Sequence, residues 1–294
     1  MQRRGIEGVL LVLAMAGGAV SGQEPHVKND SATRPASPWS RPAAITGRGT
    51  VGSPGGTHPL ATDGRTVHAA WFQGGKIHTR SSPDGGATWG QPREATSGTT
   101  ATYPCSLELS GPVLHLIWPD ARHGGLWEPC YRRSTDGGWT WGEQTRLSPG
   151  TDLFRLGTAV SGSSVHVVWF SRHFLEKVPA GDQTWTWTWG EVYYRRSADG
   201  GVTWEEPLRL TQPDSTACRP SIAACGRFVH VTWVDNRDAR QKPGWDWEIY
   251  YKRSTDGGAT WEPDVRMTDN GWHSRHPQIV ATAEGRVCCI WEDG

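Results

Sequence analysis

The sequence predicts an all-β fold built from repeated units of four short antiparallel strands. Three observations predict it. First, the 294 residues include 37 glycines and 20 prolines spread over short segments, a composition that suits turn-rich sheets and suits long helices badly. Second, the pattern S-x-D-G-G-x-T-W occurs at Ser82–Trp89, Ser134–Trp141, Ser197–Trp204 and Ser254–Trp261. Third, each copy is flanked by similar alternating segments, so the repeat extends well beyond the motif.

The strands follow in order within each unit. An opening strand begins at a Pro-like position (HPLATDG, YPCSLELSG, RLGTAVSG, RPSIAACG, HPQIVATAEG). An apolar second strand ends at Trp71, Trp118, Trp169, Trp233 and Trp291. A third strand, such as VYYRRS or EIYYKRS, runs into the motif, and a fourth leaves from its tryptophan. The motif reads as a clasp. Its aspartate accepts backbone N–H bonds across a tight loop, and its two glycines take positive φ. Its tryptophan folds back under the turn, burying about 150–250 Å² and contributing about 4–6 kcal/mol gross. One carboxylate per loop does not make a calcium site. Units of this size, repeated, predict a β-propeller of four-stranded antiparallel blades. Four blades are complete, and a fifth stops after its second strand at Gly294. Trp39–Thr46 matches an outer fourth strand.

Lys+Arg and Asp+Glu are both 30, which argues against nucleic-acid binding. A hydrophobic content of 36% and a mean hydropathy of −0.57 exclude a polytopic membrane protein. Two early arginines, the apolar run Val9–Val20 and the small residues Ser21 and Gly22 have the layout of an export signal. The expected organisation is a signal peptide over 1–22, a disordered leader over 23–38 and the repeat domain over 39–294, in a secreted or periplasmic protein with no membrane span once processed. Export makes Cys105, Cys130, Cys218, Cys225, Cys288 and Cys289 eligible for disulfides. No CxxC pair exists, so no zinc site is expected. Nucleophile-elbow, HExxH and phosphate-loop motifs are absent too.

The S-x-D-G-G-x-T-W repeat resembles the Asp-box (BNR) repeat of sialidase/neuraminidase-type propellers, over about Trp39–Gly294. Because that family is six-bladed, the resemblance implies either a ring that closes unusually, with Trp39–Thr46 pairing the last half blade, or a truncated propeller, which is the favoured expectation. It places ligands on the face opposite the Asp boxes. Alignment on the second-strand tryptophans puts His58, Tyr103, Arg155, Arg219 and His276 at the channel-lining start of strand one, with Arg275 beside His276. The family holds a sugar carboxylate with three arginines, the first in an R-I-P element. Arg219-Pro220-Ser221-Ile222 is similar but lacks the isoleucine between arginine and proline. Arg155, Arg219 and Arg275 would form the triad, since a guanidinium fork matches a carboxylate. Tyr103 would be the nucleophile, and Asp120 or Asp235 the acid. However, W-x-D-x-R recurs in two units, and Glu128, Glu191 and Glu248 repeat as well, which equally suits a structural role. Trp127, Trp185, Trp187, Trp189, Trp245, Trp247 and Trp272 lie in loops where indoles could stack on sugars. The expected function is a cofactor-independent, metal-independent exo-α-sialidase-type hydrolase acting on acidic glycans. The alternative is a non-catalytic propeller that binds glycans or proteins.

Overall fold

The computed structural model describes residues 10–16, 59–98, 105–122, 124–150, 152–172, 190–212, 216–238, 247–270, 273–283 and 285–293. The described residues are all β, without an α-helix, and hence without a helix long and apolar enough to cross a membrane. Strand β1 (Leu10–Ala16) comes first. The first unit is β2 (Leu60–Thr62), β3 (Val67–Gln73), β4 (Lys76–Ser82) and β5 (Arg93–Glu94). The second is β6 (Ser106–Ser110), β7 (Val113–Asp120), β8 (Glu128–Ser134) and β9 (Thr145–Arg146). The third is β10 (Asp152–Ser161), β11 (Ser164–Arg172), β12 (Gly190–Ser197) and β13 (Leu208–Arg209). The fourth is β14 (Ala217–Cys225), β15 (Phe228–Asp235), β16 (Glu248–Ser254) and β17 (Val265–Arg266). A last pair, β18 (Ser274–Ala281) and β19 (Val287–Asp293), opens a fifth.

Each four-stranded unit is an antiparallel meander in chain order, and the third and fourth touch edge to edge through Gly190 and Ala217. First strands pack on first strands in series: β2 on β6, β6 on β10, β10 on β14 and β14 on β18. The opening strands therefore form one continuous series of contacts from unit to unit. β1 pairs in parallel with β19, from Leu10 opposite Val287 to Ala16 opposite Asp293. The described part of the apolar run expected as an export leader, Leu10–Ala16, is thus an edge strand. The expected leader region 23–38 and the strand over Trp39–Thr46 lie outside the described residues.

The clasp forms four times with one geometry. In the first, the Ser82 hydroxyl donates to Asp84 Oδ1 at 2.8 Å and accepts from the Gly86 amide at 2.7 Å. Thr88 donates its amide and hydroxyl to the two Asp84 oxygens at 2.8 and 2.6 Å. Gly85 and Gly86 adopt φ of 69° and 95°. The hydroxyl of Thr88, then its amide and then Ser82, hold the Asp84 carboxyl at about 2. The tryptophans are half-buried, less than the full fold-back expected. Trp204 instead meets Tyr131 of the preceding unit edge-on at 4.9 Å, and Trp261 meets Tyr194 in the same way.

The second-strand tryptophans are the buried ones. Trp118, Trp169 and Trp233 are fully enclosed. The cysteines eligible for pairing are all free thiols. Burial pushes Cys105, Cys130, Cys218 and Cys289 up to about 12, so these thiols stay protonated.

Candidate functional site

Strands β10, β14 and β18 each break register near their start, between Leu153 and Arg155, Cys218 and Ser221, and Arg275 and Gln278. Such bulges re-aim a side chain. Two of them hold a non-glycine residue in the left-handed region, Arg219 at φ 54° and His276 at φ 52°. Both precede a proline, whose ring already restricts the residue before it. Each such backbone state costs about 1–3 kcal/mol and persists only where its surroundings enforce it.

The bulges bring the expected ring members together. Arg219 donates an N–H to His276 Nε2. His276 Nδ1 then donates to Glu292 Oε2 at 2.8 Å, so the proton sits on Nδ1 and the other ring nitrogen accepts. The His276 hydrogen bond and charge lower the Glu292 carboxyl, and Arg219 and then Arg275 add to the effect. Arg155 is exposed by area. Even so, burial of its guanidinium and then the positive charge of Arg219 hold its pKa below the ordinary arginine value. Arg155 and Arg219, from neighbouring units, therefore lie in each other's field, and Arg219 and Arg275 both act on the Glu292 carboxylate.

This cluster sits at the end of the sheets away from the clasps. The clasps bond to the turns between strands one and two at the other end, as Gly200 does to the Ser163 carbonyl and Gly257 to that of Arg227. Glu292 was not among the residues singled out from sequence. Its signal was available: it follows the second-strand tryptophan Trp291 and stands opposite Arg275 in register.

The other expected residues separate into two groups. His58, Tyr103, Trp185, Trp187, Trp189, Trp245 and Trp272 lie outside the described residues. The remainder are placed, and the structure corrects several. Asp120 and Asp235 are 0% exposed. Asp120 accepts from the Trp118 indole at 3.2 Å and pairs with Arg122 at 2.8 Å. Asp235 accepts from the Trp233 indole at 3.0 Å and pairs with Arg237 at 2.6 Å. Burial alone would raise the Asp120 carboxyl, but the Arg122 side chain and amide outweigh it and leave the group below the usual carboxylate range. A sealed, ionised carboxylate is not placed to protonate a sugar leaving group.

The W-x-D-x-R element is therefore a loop clamp. The repeated glutamates clamp too. Glu128 receives a bidentate pair from Arg146 at 2.6 and 2.7 Å, and Glu191 and Glu248 pair with Arg209 and Arg266. Trp247, expected on the rim, is 5% exposed and packs with Phe170, Val234 and Trp291. Trp127 is half-buried against the Leu147–Leu153 cluster. Among the described residues no group of three His, Cys, Asp or Glu side chains could hold a metal ion.

No protein-family model and no curated protein matches this chain. Solved structures do match. An ulvan lyase, described as a new polysaccharide lyase family and bound to a GlcA(1-4)Rha3S unit, superposes with a TM-score of 0.54 at 10% identity. The match covers 81% of this chain and 64% of the lyase, so the chain spans less than two thirds of that protein. An endo-arabinase from Bacteroides thetaiotaomicron matches at 0.44 with 14% identity, over 76% of this chain and 84% of the arabinase. The NanB sialidase of Streptococcus pneumoniae matches at 0.38 with 15% identity, over 60% of this chain and 26% of the sialidase. At such identity the likeness to the lyase is one of fold.

Proposed function

We propose that this protein acts on acidic glycans. The sugar carboxylate docks between Arg155, Arg219 and Arg275 at the bulged ends of the first strands. One observation carries the reading: the protein holds Arg219 and His276 in costly left-handed backbone, and this sets the half-buried Arg219 in the field of the like-charged Arg155. Folding gains nothing from that arrangement, whereas a bound anion does. The superposed lyase, bound to a GlcA-containing unit, supports a glycan as the ligand class.

The reaction we assign is sialidase-like hydrolysis with retention, with Tyr103 as nucleophile on the propeller that the Asp-box repeats imply. Tyrosine suits this role because a neutral phenol is not repelled by the substrate carboxylate. Export follows from the leader-like run Val9–Val20. A second reading, glycan binding without turnover, is favoured by a specific observation: Asp120 and Asp235, the expected acids, are locked in buried ion pairs.

A fluorogenic sialoside separates the two across mildly acidic to neutral pH. Hydrolysis that disappears in Arg219→Ala supports the first reading. Saturable binding of the sialoside without release, again lost in Arg219→Ala, supports the second. Neither turnover nor binding removes both.

A further inference from the structure

The four units are near copies, so a position where one departs from the others is informative. In β8, β12 and β16 the third residue before the closing serine is Tyr131, Tyr194 or Tyr251. Each hydroxyl bonds a second-strand histidine: Tyr131 with His115 at 2.8 Å, Tyr194 with His166 at 2.7 Å and Tyr251 with His230 at 2.7 Å. Tyr131 and Tyr194 also fill the junction with the next unit. A Cβ built on Gly201 would lie 1.7 Å from the Tyr131 hydroxyl, and one on Gly258 would lie 1.9 Å from that of Tyr194.

The first unit carries Thr79 there. Its histidine, His68, bonds Ser81 instead, at 2.7 Å. At the matching glycine, Gly138, the Thr79 hydroxyl is 3.7 Å from a built Cβ. Leu114, standing where later units have Val165 and Val229, takes back part of the space. What is left is a cleft of about 580 Å³ between the first two units, on the clasp side and so away from the arginine cluster. Its size is that of a small-molecule site.

The lining is cationic and aromatic. It includes Trp89, Trp139, His68, Arg80 and Arg93, with no aspartate or glutamate. Trp139 is 66% exposed, an unusual position for an indole. The Arg93 guanidinium lies 3.4 Å from its ring centroid. Among the described residues no carboxylate or hydrogen-bond acceptor engages Arg93. A stacked guanidinium is held flat with its N–H edge free, the geometry that receives a carboxylate.

We propose that this cleft is a second glycan site, taking one or two pyranose units that bear a carboxylate. The acid group pairs with Arg93 on its Trp139 platform. The sugar ring lies along Trp89 and Thr88, with hydroxyls facing His68 and Ser81. The site is independent of the arginine cluster at the opposite end.

Ligand-observed NMR titration with methyl glucuronide, and with methyl glucoside as its neutral counterpart, tests this. The wild-type protein should bind the glucuronide saturably below about 10 mM and the glucoside at least about tenfold more weakly. Trp139→Ala changes an exposed side chain and Arg93→Ala a half-buried one, and each should weaken glucuronide binding by about tenfold or more. The double change Thr79→Tyr with Leu114→Val rebuilds the filled junction of the later units. It should abolish binding while keeping a cooperative melt. The first site also takes sugar acids, so each titration is run in the Arg219→Ala background as well, where that site is disabled and binding at the cleft should persist. Absence of saturable binding overturns the proposal. So does glucuronide binding that, in the Arg219→Ala background, survives Trp139→Ala and Arg93→Ala, or that Arg219→Ala alone removes.

Discussion

A left-handed arginine directly before a proline is a backbone state that few residues reach unless something holds them there. Arg219 and His276 both occupy it, at equivalent bulges of two units. At the residue scale the interior histidines contrast with that pair. His115, His166 and His230 share one second-strand position, and burial, ahead of a nearby arginine in each case, lowers each to about 4 from an ordinary 6.5. Their repetition at one strand position fits a structural role, and the tyrosine bonds give the reason. The sign of their effect follows from linkage. Between pH 6.5 and 4 the unfolded chain takes up these protons and the folded chain does not, so stability falls as pH falls. It falls by at most about 1.4 kcal/mol per pH unit for each histidine. Above pH 6.5 both states are neutral and the effect vanishes. The clasp carboxylates Asp84 and Asp136, held at about 2, add a further loss only below about pH 3.8. Urea melts at pH 7 and pH 5 should therefore differ, and His166→Gln should flatten the slope by one proton's share. Equal stability at the two values would contradict this account of the cores.

At the scale of elements, the clasp was readable in advance because it is local. Serine, aspartate, two glycines and threonine satisfy one another within seven residues, so the sequence pattern is the structure. The same logic misled where partners are distant or where exposure decides. Asp120 and Asp235 looked like loop carboxylates near a binding face, yet arginines two residues on hold them in ion pairs. Trp247 looked like a rim indole, yet it packs against the neighbouring unit and the last strand pair. The junctions between units offer a sharp test. Gly138 and Gly201 occupy equivalent clasp positions at φ of 87° and 81°, so alanine strains both backbones alike. They differ in what the new methyl meets: Leu114 at 3.4 Å for Gly138, but the Tyr131 hydroxyl at 1.7 Å for Gly201. Gly201→Ala should cost about 1–3 kcal/mol more than Gly138→Ala in denaturant unfolding. Equal costs would mean that tyrosine does not lock the second unit to the third.

For the whole molecule, the unit-to-unit contact of first strands is what allows residues about 60 positions apart in sequence to meet. Alignment on the second-strand tryptophans placed His58, Tyr103, Arg155, Arg219 and His276 in one ring, and of these Arg219 meets His276 and lies in the field of Arg155, while His58 and Tyr103 lie outside the described residues. It could not anticipate the bulges, the left-handed residues or the Arg219–His276–Glu292 chain, because those depend on register and backbone angle rather than residue type. Nor could it give meaning to Thr79, which differs visibly from the tyrosines but becomes a cleft only once the next unit is packed against it. The central claim is that the strained, like-charged cluster is kept for an anionic sugar. Thermal melts of the wild type and Arg219→Gly, each with and without N-acetylneuraminate, test it most directly. Glycine accepts the left-handed backbone and removes one positive charge, so the variant should melt above the unliganded wild type. Ligand at about ten times its Kd should stabilise the wild type by about 1.4 kcal/mol and leave the variant unmoved. An equal ligand response in both proteins, or a variant that melts lower, would contradict the claim.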